Sequence, residues 1–219
     1  MTVPRVVAID GAAGSGKSTL GRGLARALAL PYVNTGLMYR ALAAAALRAG
    51  VASNDQDRLL ELMRGLRFIV RVDPPGELEV EGYDLEALTD VEVESTVSRV
   101  ASHPIVRAHM RREQRELGET HGAVMEGRDI ASVVFADAPV KLYLHAPPEL
   151  RARRRIAERA GGAEEIEAAL RGRDARDAQT TPHEPAPGAT VIDTSELDAR
   201  AALDAALEVV RELAPELLS

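Results

Sequence analysis

The sequence predicts an α/β domain with a parallel five-stranded sheet flanked by helices. Three observations carry this expectation. Five short apolar runs alternate with helical patterns along the chain, the rhythm of strand, helix and next parallel strand. The first run enters a glycine-rich turn that opens directly into a helix. The length, 219 residues, fits one domain, and with 46% hydrophobic and 28% charged residues the chain can bury a core and is not disordered.

Arg5 to Ile9 reads as a buried strand bounded by Pro4 and Asp10-Gly11. From Lys17 the apolar positions Leu20, Leu24, Ala27 and Leu28 have helical spacing and stop before Pro31. Tyr32-Val33 is a second strand, and Gly36 to Ala49 an alanine-rich helix closed by Gly50. The pattern then changes. Arg67 to Val72 and Glu77 to Glu81 flank Asp73-Pro-Pro-Gly76 as a hairpin, part of an inserted subdomain at roughly 60–97. Helices are expected over Asp90 to Ser102 and Pro104 to Leu117, and strands at Ala123 to Glu126, Val140 to Leu144 and Thr190 to Asp193. Ser195 with Asp198 suggests a capping pair for the last helix. Pro147 to Asp177 reads as a second, helical insertion with Gly161-Gly162 as hinge.

The charge balance narrows the function. A net charge of −7 speaks against nucleic acid or anionic membrane as the main partner, and no run approaches the length of a membrane span. Without cysteine there is no disulfide, thiolate metal site or cysteine nucleophile. A soluble, cytoplasmic monomer acting on small molecules is expected. Only Lys17 and Lys141 are lysine against 25 arginines, so a lysine where chemistry prefers a compact charge stands out.

Lys17 lies in Gly11-Ala12-Ala13-Gly14-Ser15-Gly16-Lys17-Ser18, followed by Thr19, which fits G-x-x-x-x-G-K-[ST] between a strand and a helix. Such a loop wraps its N–H groups around phosphates, its lysine reaches the β- and γ-phosphates of a nucleoside triphosphate, and its serine hydroxyl suits Mg²⁺. A guanine-reading Asn-Lys-x-Asp is absent, and Asp73-Pro-Pro-Gly76 is better read as a turn than as a switch element. A kinase instead needs arginines for an acceptor phosphate and a lid. Tyr39-Arg40 follows the Thr35-Gly36 turn, Arg107 lies on a helix, and Arg128 follows a strand in Gly127-Arg-Asp129. Residues 151–176 hold eight arginines, with Arg151, Arg154 and Arg155 on one helical face. The plainer reading of that stretch is a solvated face balanced by its many acids. The five histidines form no ligand spacing.

These elements together resemble the bacterial-type cytidylate kinases, P-loop relatives of adenylate kinase that phosphorylate CMP and dCMP with ATP and Mg²⁺. The likeness rests on Ala8-Ile-Asp-Gly11 with its loop, Thr35-Gly-Leu-Met-Tyr-Arg40, the Ser98 to Arg115 segment and Glu126-Gly-Arg-Asp129 followed by Val133-Val-Phe135. It continues through Pro139 to Leu144, Arg173-Asp-x-x-Asp177 and Val191-Ile-Asp-Thr194. The resemblance implies a P-loop core at about 1–38, 98–146 and 178–219, an NMP-binding region at about 39–97 and a lid at about 147–177. It implies that Arg40 and Arg128 clamp the acceptor phosphate, that Ser98, Arg107 and Asp129 read cytosine, that Thr35 lies near the nucleotide and that Asp177 meets the ribose. Lys17, Arg40, Arg128 and Arg173 would carry the catalytic charge, with Arg151 and Arg155 on ATP. A carboxylate can accept from the cytosine amine, although Asp129 could equally cap a helix. The family usually has a further phosphate-binding arginine at the position of Thr180, and an aspartate where this chain has Glu126. A kinase for another acceptor, such as UMP, shikimate or dephospho-CoA, and a nucleotide-dependent switch without transfer are the competing readings.

Overall fold

Val6, Val7, Ala8 and Ile9 are all fully buried in the computed structural model, which describes residues 4–157 and 184–218. An unbroken apolar run of this kind belongs to a strand covered on both faces. That strand, β1 (Val6–Gly11), is the middle of a sheet whose other members are β2 (Tyr32–Asn34), β5 (Ala123–Gly127), β6 (Val140–His145) and β7 (Thr190–Asp193). Their order is β2-β5-β1-β6-β7, and every pairing is parallel. The expected five-stranded parallel sheet is therefore present, with each strand within two residues of its predicted bounds.

The pleat sends alternate side chains to opposite faces. Val6 and Ala8 pack with Val33 and Met125 under α2 (Thr35–Arg48), α5 (Val91–Val100) and α6 (Pro104–His121). Val7 and Ile9 pack with Val124, Leu142 and Leu144 on the other face, against α1 (Lys17–Ala27) and α8 (Ala199–Leu213). Between α2 and α5 come α3 (Gln56–Gly65), the short strands β3 (Phe68–Ile69) and β4 (Glu79–Val80), and α4 (Leu85–Thr89). After β6 the described chain continues into α7 (Pro148–Ala157). Gly161 and Gly162, proposed as a hinge, lie outside the described residues.

The regular ladder of the inserted hairpin is shorter than its sequence suggests, with Phe68 opposite Val80 and Ile69 opposite Glu79, and beyond it an isolated bridge between Val72 and Pro75 and a bond from Glu81 N–H to Arg67 O. The other edge of the β4 segment is used as well. Tyr32 N–H donates to Gly76 O at 2.9 Å, and Leu78 N–H donates to Tyr32 O at 2.8 Å. The segment leading into β4 thus covers the exposed edge of β2, and Arg22 pairs with Glu77 at 2.8 Å beside it. Leu59, Met63, Leu78 and Leu88 from the same region join the apolar cluster of Val6 and Ala8.

Three local expectations are corrected. Asp198 alone caps α8, accepting from Ala201 N–H at 2.8 Å, whereas the Ser195 hydroxyl and N–H both donate to Asp193. The Thr35-Gly36 turn is instead the first turn of α2, with the Asn34 side chain accepting from Gly36 N–H. Helix α6 runs past Leu117 to His121 and stops at Gly122, whose φ of 65° favours glycine. Helices α3 and α4, not foreseen, both start on aspartate caps, Asp55 and Asp84.

One buried carboxylate ties the two central loops together. Asp10, at the end of β1 and 3% exposed, accepts from Ile130 N–H at 2.8 Å and from Ala131 N–H at 2.9 Å. These are the first N–H groups of a π-helical turn, Ile130–Val134, that follows β5 and Arg128-Asp129. Burial pushes the Asp10 carboxyl up to about 6, against the opposing pull of those two N–H groups.

Two outcomes follow from this packing. A β-carbon at Gly118 on α6 would lie 2.4 Å from a ring carbon of the fully buried Phe135, so Gly118→Ala should destabilise the fold by about 1–3 kcal/mol; an unchanged urea midpoint would contradict this close approach. Because the folded Asp10 pKa is raised, its contribution to stability is fully present below about 4 and is lost as pH rises to about 6. Asp10→Asn removes that dependence. The variant should therefore gain stability relative to wild type between pH 4 and 6 and show a constant difference above, a pattern that urea titrations at several pH values would detect or refute.

Candidate active site

The glycine-rich loop leaves β1 and feeds α1 through Gly14 and Gly16, whose φ values of 76° and 95° lie in the left-handed region. Gly14 is also pressed against α7. A β-carbon there would be 2.9 Å from Arg151 O. The N-cap of α1 is Gly16, which has no side chain to bond the leading N–H groups, so the start of this helix suits an anion, which the helix dipole also favours. Lys17 Nζ donates to Ala12 O at 2.7 Å, bending the lysine back over its own loop. Of the loop residues, Ala13, Gly14, Lys17 and Ser18 line an open cleft. Gly11 and Ser15 are buried behind it and Thr19 is exposed.

Ser18 leads to the floor of the cleft. Its Oγ donates to Glu126 Oε1 at 2.8 Å, and the buried Tyr32 hydroxyl donates to the same oxygen at 2.7 Å. Burial and the neighbouring Glu126 push the Tyr32 phenol well above its ordinary range, so it stays a donor. Glu126 Oε2 is buried with no hydrogen-bond partner among the described residues. A hydroxyl beside a carboxylate with an unused oxygen suits Mg²⁺, which takes hard oxygen ligands and usually completes its shell with water and substrate phosphates. Among the described residues no group of three or more His, Cys, Asp or Glu side chains could hold a metal unaided.

The far end of the cleft is lined by Thr35, Arg40, Ser98, Arg107, Arg128 and Asp129, all drawn from the sequence reading. Thr35 Oγ1 donates to Glu126 O at 2.7 Å, which joins the start of α2 to the end of β5. Arg40, one turn along α2, is paired with Glu94 on α5 at 2.8 Å. Ser98 Oγ is buried without a hydrogen-bond partner among the described residues. Arg107 Nη2 donates to Asp129 Oδ2 at 2.8 Å, and Arg111 adds two further bonds to that oxygen. Asp129 makes no capping bond to the turn it precedes; Asp10 does so in its place, which removes the simple cap reading. Tyr39 lies beside this cluster, its phenol pushed up to about 12 by burial.

Arg151, expected over ATP, lies on α7 behind the phosphate loop. Its guanidinium is buried, donating to Ala146 O and to Ala13 O, each at 3.2 Å, and so braces the loop backbone from α7. Arg154 holds Thr194, through Nη1 to its hydroxyl at 3.0 Å and Nη2 to its carbonyl at 2.7 Å, and Nη1 comes within 3.9 Å of where a Gly16 β-carbon would lie. The side chain of Arg155, and Arg173, Asp177 and Thr180, lie outside the described residues.

Sequence reasoning assigned no role to Asp10, Tyr32, Glu94 or Arg111. Asp10 left a signal, an acid that interrupts an apolar strand just before the loop. Arg111 left one too, since it is one helical turn beyond Arg107. Tyr32 and Glu94 left none, because their partners are 94 and 54 residues away.

Comparison with known proteins agrees with this geometry. A sequence model described as "Cytidylate kinase" matches residues 7–212. The chain is 42% identical over 223 residues to a cytidylate kinase of Mycobacterium avium (strain 104), covering 97% of each chain. It is 40% identical over 216 residues to one of Solibacter usitatus (strain Ellin6076), covering 94% of this chain and 92% of the relative. Against a cytidylate kinase of Deinococcus radiodurans the identity is 44% over 194 residues, covering 88% and 92%. With a P-loop at one end of its cleft, arginines and Asp129 at the other, and these matches along nearly its whole length, the chain belongs to the cytidylate kinase family.

Proposed function

We propose that this chain transfers the γ-phosphoryl group of ATP to the phosphate of CMP and of dCMP, giving CDP, dCDP and ADP. One observation carries the reading: a single cleft runs from the phosphate loop to a cluster of arginines, Ser98 and Asp129 suited to a pyrimidine monophosphate. The arrangement brings two anions together. ATP carries roughly four negative charges and CMP about two, so the site must offset mutual repulsion while aligning donor and acceptor.

Lys17 and the N–H groups at the start of α1 suit the phosphates of ATP, and Arg40 and Arg128 suit the acceptor phosphate. An acceptor phosphate oxygen attacks the γ-phosphorus as the bond to the β,γ-bridging oxygen breaks, and ADP leaves. The second pKa of a phosphate monoester is about 6, so the nucleophilic oxygen is already ionised at neutral pH and no general base is required. Positioning and charge neutralisation are then the main catalytic contributions. Ser18 and Glu126 would hold Mg²⁺, which neutralises charge on the transferred group when bound. Tyr32 orients Glu126, Glu94 orients Arg40, and Asp10 holds the loop bearing Arg128 and Asp129. At the base, Asp129 accepts from the cytosine amine and would meet a repelling oxygen in uracil.

The finer parts of the reading are a lid at about 147–177 with Arg155 and Arg173 on the phosphates, Asp177 on the ribose, and a cytoplasmic monomer that acts on free nucleotides. The acidic net charge supports the last point, and no helix among the described residues is long and apolar enough to cross a membrane.

The deciding experiment is ADP formation from ATP and Mg²⁺ with CMP, dCMP, UMP, AMP or shikimate offered singly. Strong stimulation by CMP and dCMP, weak stimulation by UMP and none by the others is expected; slow hydrolysis indifferent to the acceptor would indicate a switch and overturn the proposal. In the same assay Arg128→Ala should lower kcat/KM for CMP by about a hundredfold or more, the scale of losing a charged contact to a phosphate. The KM for ATP should change little. Equal losses toward both substrates would assign Arg128 to the structure instead.

A further inference from the structure

Asp129 is bonded in an asymmetric way. Its Oδ2 receives Arg107 Nη2 at 2.8 Å, Arg111 Nη2 at 2.7 Å and Arg111 Nε at 3.0 Å. No donor among the described residues is bonded to Oδ1. Three charge-assisted bonds on one oxygen use up its acceptor capacity, and two of the three come from Arg111. Asp129, Arg107 and Ser98 line the cleft, whereas Arg111 does not. Arg111 reaches the carboxylate from one helical turn further along α6, with a side chain 33% exposed against 12% for Arg107.

We propose that Arg111 is a positioning residue that sets discrimination between cytosine and uracil by locking the Asp129 carboxylate. The proposal rests on the reading of Asp129 as the acceptor for the cytosine amine. The physical basis is torsional. The χ2 angle of aspartate has a broad, roughly two-fold profile and does not fix its own carboxylate plane. With Oδ2 pinned from α6 by Arg111, Oδ1 is the acceptor that remains for the base. Cytosine presents an N–H there and gains a bond, while uracil presents an oxygen and meets a lone pair that cannot turn away. With Arg107 alone, one bond remains to hold the carboxylate. It can rotate, so its lone pairs no longer hold a fixed position against the uracil oxygen. Loss of Arg111 therefore weakens CMP binding and relaxes the rejection of UMP, although Arg111 itself touches no substrate.

The test is steady-state kinetics with CMP and with UMP for wild type, Arg111→Met, Arg111→Lys, Asp129→Asn and the Met/Asn double variant, each with a thermal melt. Arg111→Met keeps the aliphatic bulk and removes the donors. Its CMP-to-UMP ratio of kcat/KM should fall about tenfold, the scale of one charged hydrogen bond, chiefly through a higher KM for CMP. Arg111→Lys should recover part of the ratio, since it restores charge without the two-donor grip. In the Asp129→Asn background Arg111→Met should change the ratio no further. A folded Arg111→Met with the wild-type ratio, while Asp129→Asn collapses it, overturns the role of Arg111 and leaves the base reading intact. An unchanged ratio in Asp129→Asn overturns the base reading and this proposal with it. Should Arg111→Met not fold, Arg111→Lys decides, and a wild-type ratio in that variant overturns the proposal.

Discussion

Two backbone N–H groups bonded to one buried carboxylate hold this molecule's working parts in register. Asp10 is the penultimate residue of β1, the strand that launches the phosphate loop, and it captures Ile130 and Ala131 just after Arg128 and Asp129. Because β1 and β5 are neighbours, with Asp10 opposite Gly127, the loops that leave them share one crevice, the place where parallel sheets bind ligands. Burying a carboxylate there is costly, as its raised pKa reports. The two N–H bonds offset part of that cost and fix the phosphate loop against the segment bearing Arg128 and Asp129.

The same logic recurs around it. Few of the side chains suited to ligands stand alone: Arg40 is held by Glu94, Glu126 by Ser18 and Tyr32, and Asp129 by Arg107 and Arg111. Such pairing limits rotamer freedom before substrate arrives, and reduced ordering on binding favours both affinity and alignment. Glycines make room where supports crowd together. Gly14 admits the α7 backbone against the loop, so Arg151 can brace Ala13 from below.

The inserted region is bound into this scheme through the sheet edge. Gly76 and Leu78 bond Tyr32 along β2, and the hydroxyl of that tyrosine ends on Glu126. A chain of direct contacts therefore runs from the insert to the floor of the cleft. The Arg22 guanidinium, 5.1 Å from the centre of the Tyr32 ring and paired with Glu77, closes the outer side of the same junction.

The sequence by itself determined the five strands, the phosphate loop and most of the residues that line the cleft, because each is encoded locally. Apolar runs of strand length report burial on two faces, and glycines at fixed offsets before Lys17 report a backbone that must approach phosphate closely. Arg40, Arg128 and Asp129 were legible because they belong to short motifs that follow strands. The tertiary structure alone decided what these groups bond to. The Tyr32 to Glu126 contact, the grip of Arg111 on Asp129 and the Asp10 bridge join residues 18 to 121 positions apart. No local periodicity encodes such pairings; they arise when parallel strands settle into the order β2-β5-β1-β6-β7 and carry their ends together. The hairpin shows the same limit from the other side. Its alternation predicted a longer regular ladder than the one formed, and nothing in that alternation showed that the outer edge of the β4 segment docks on β2.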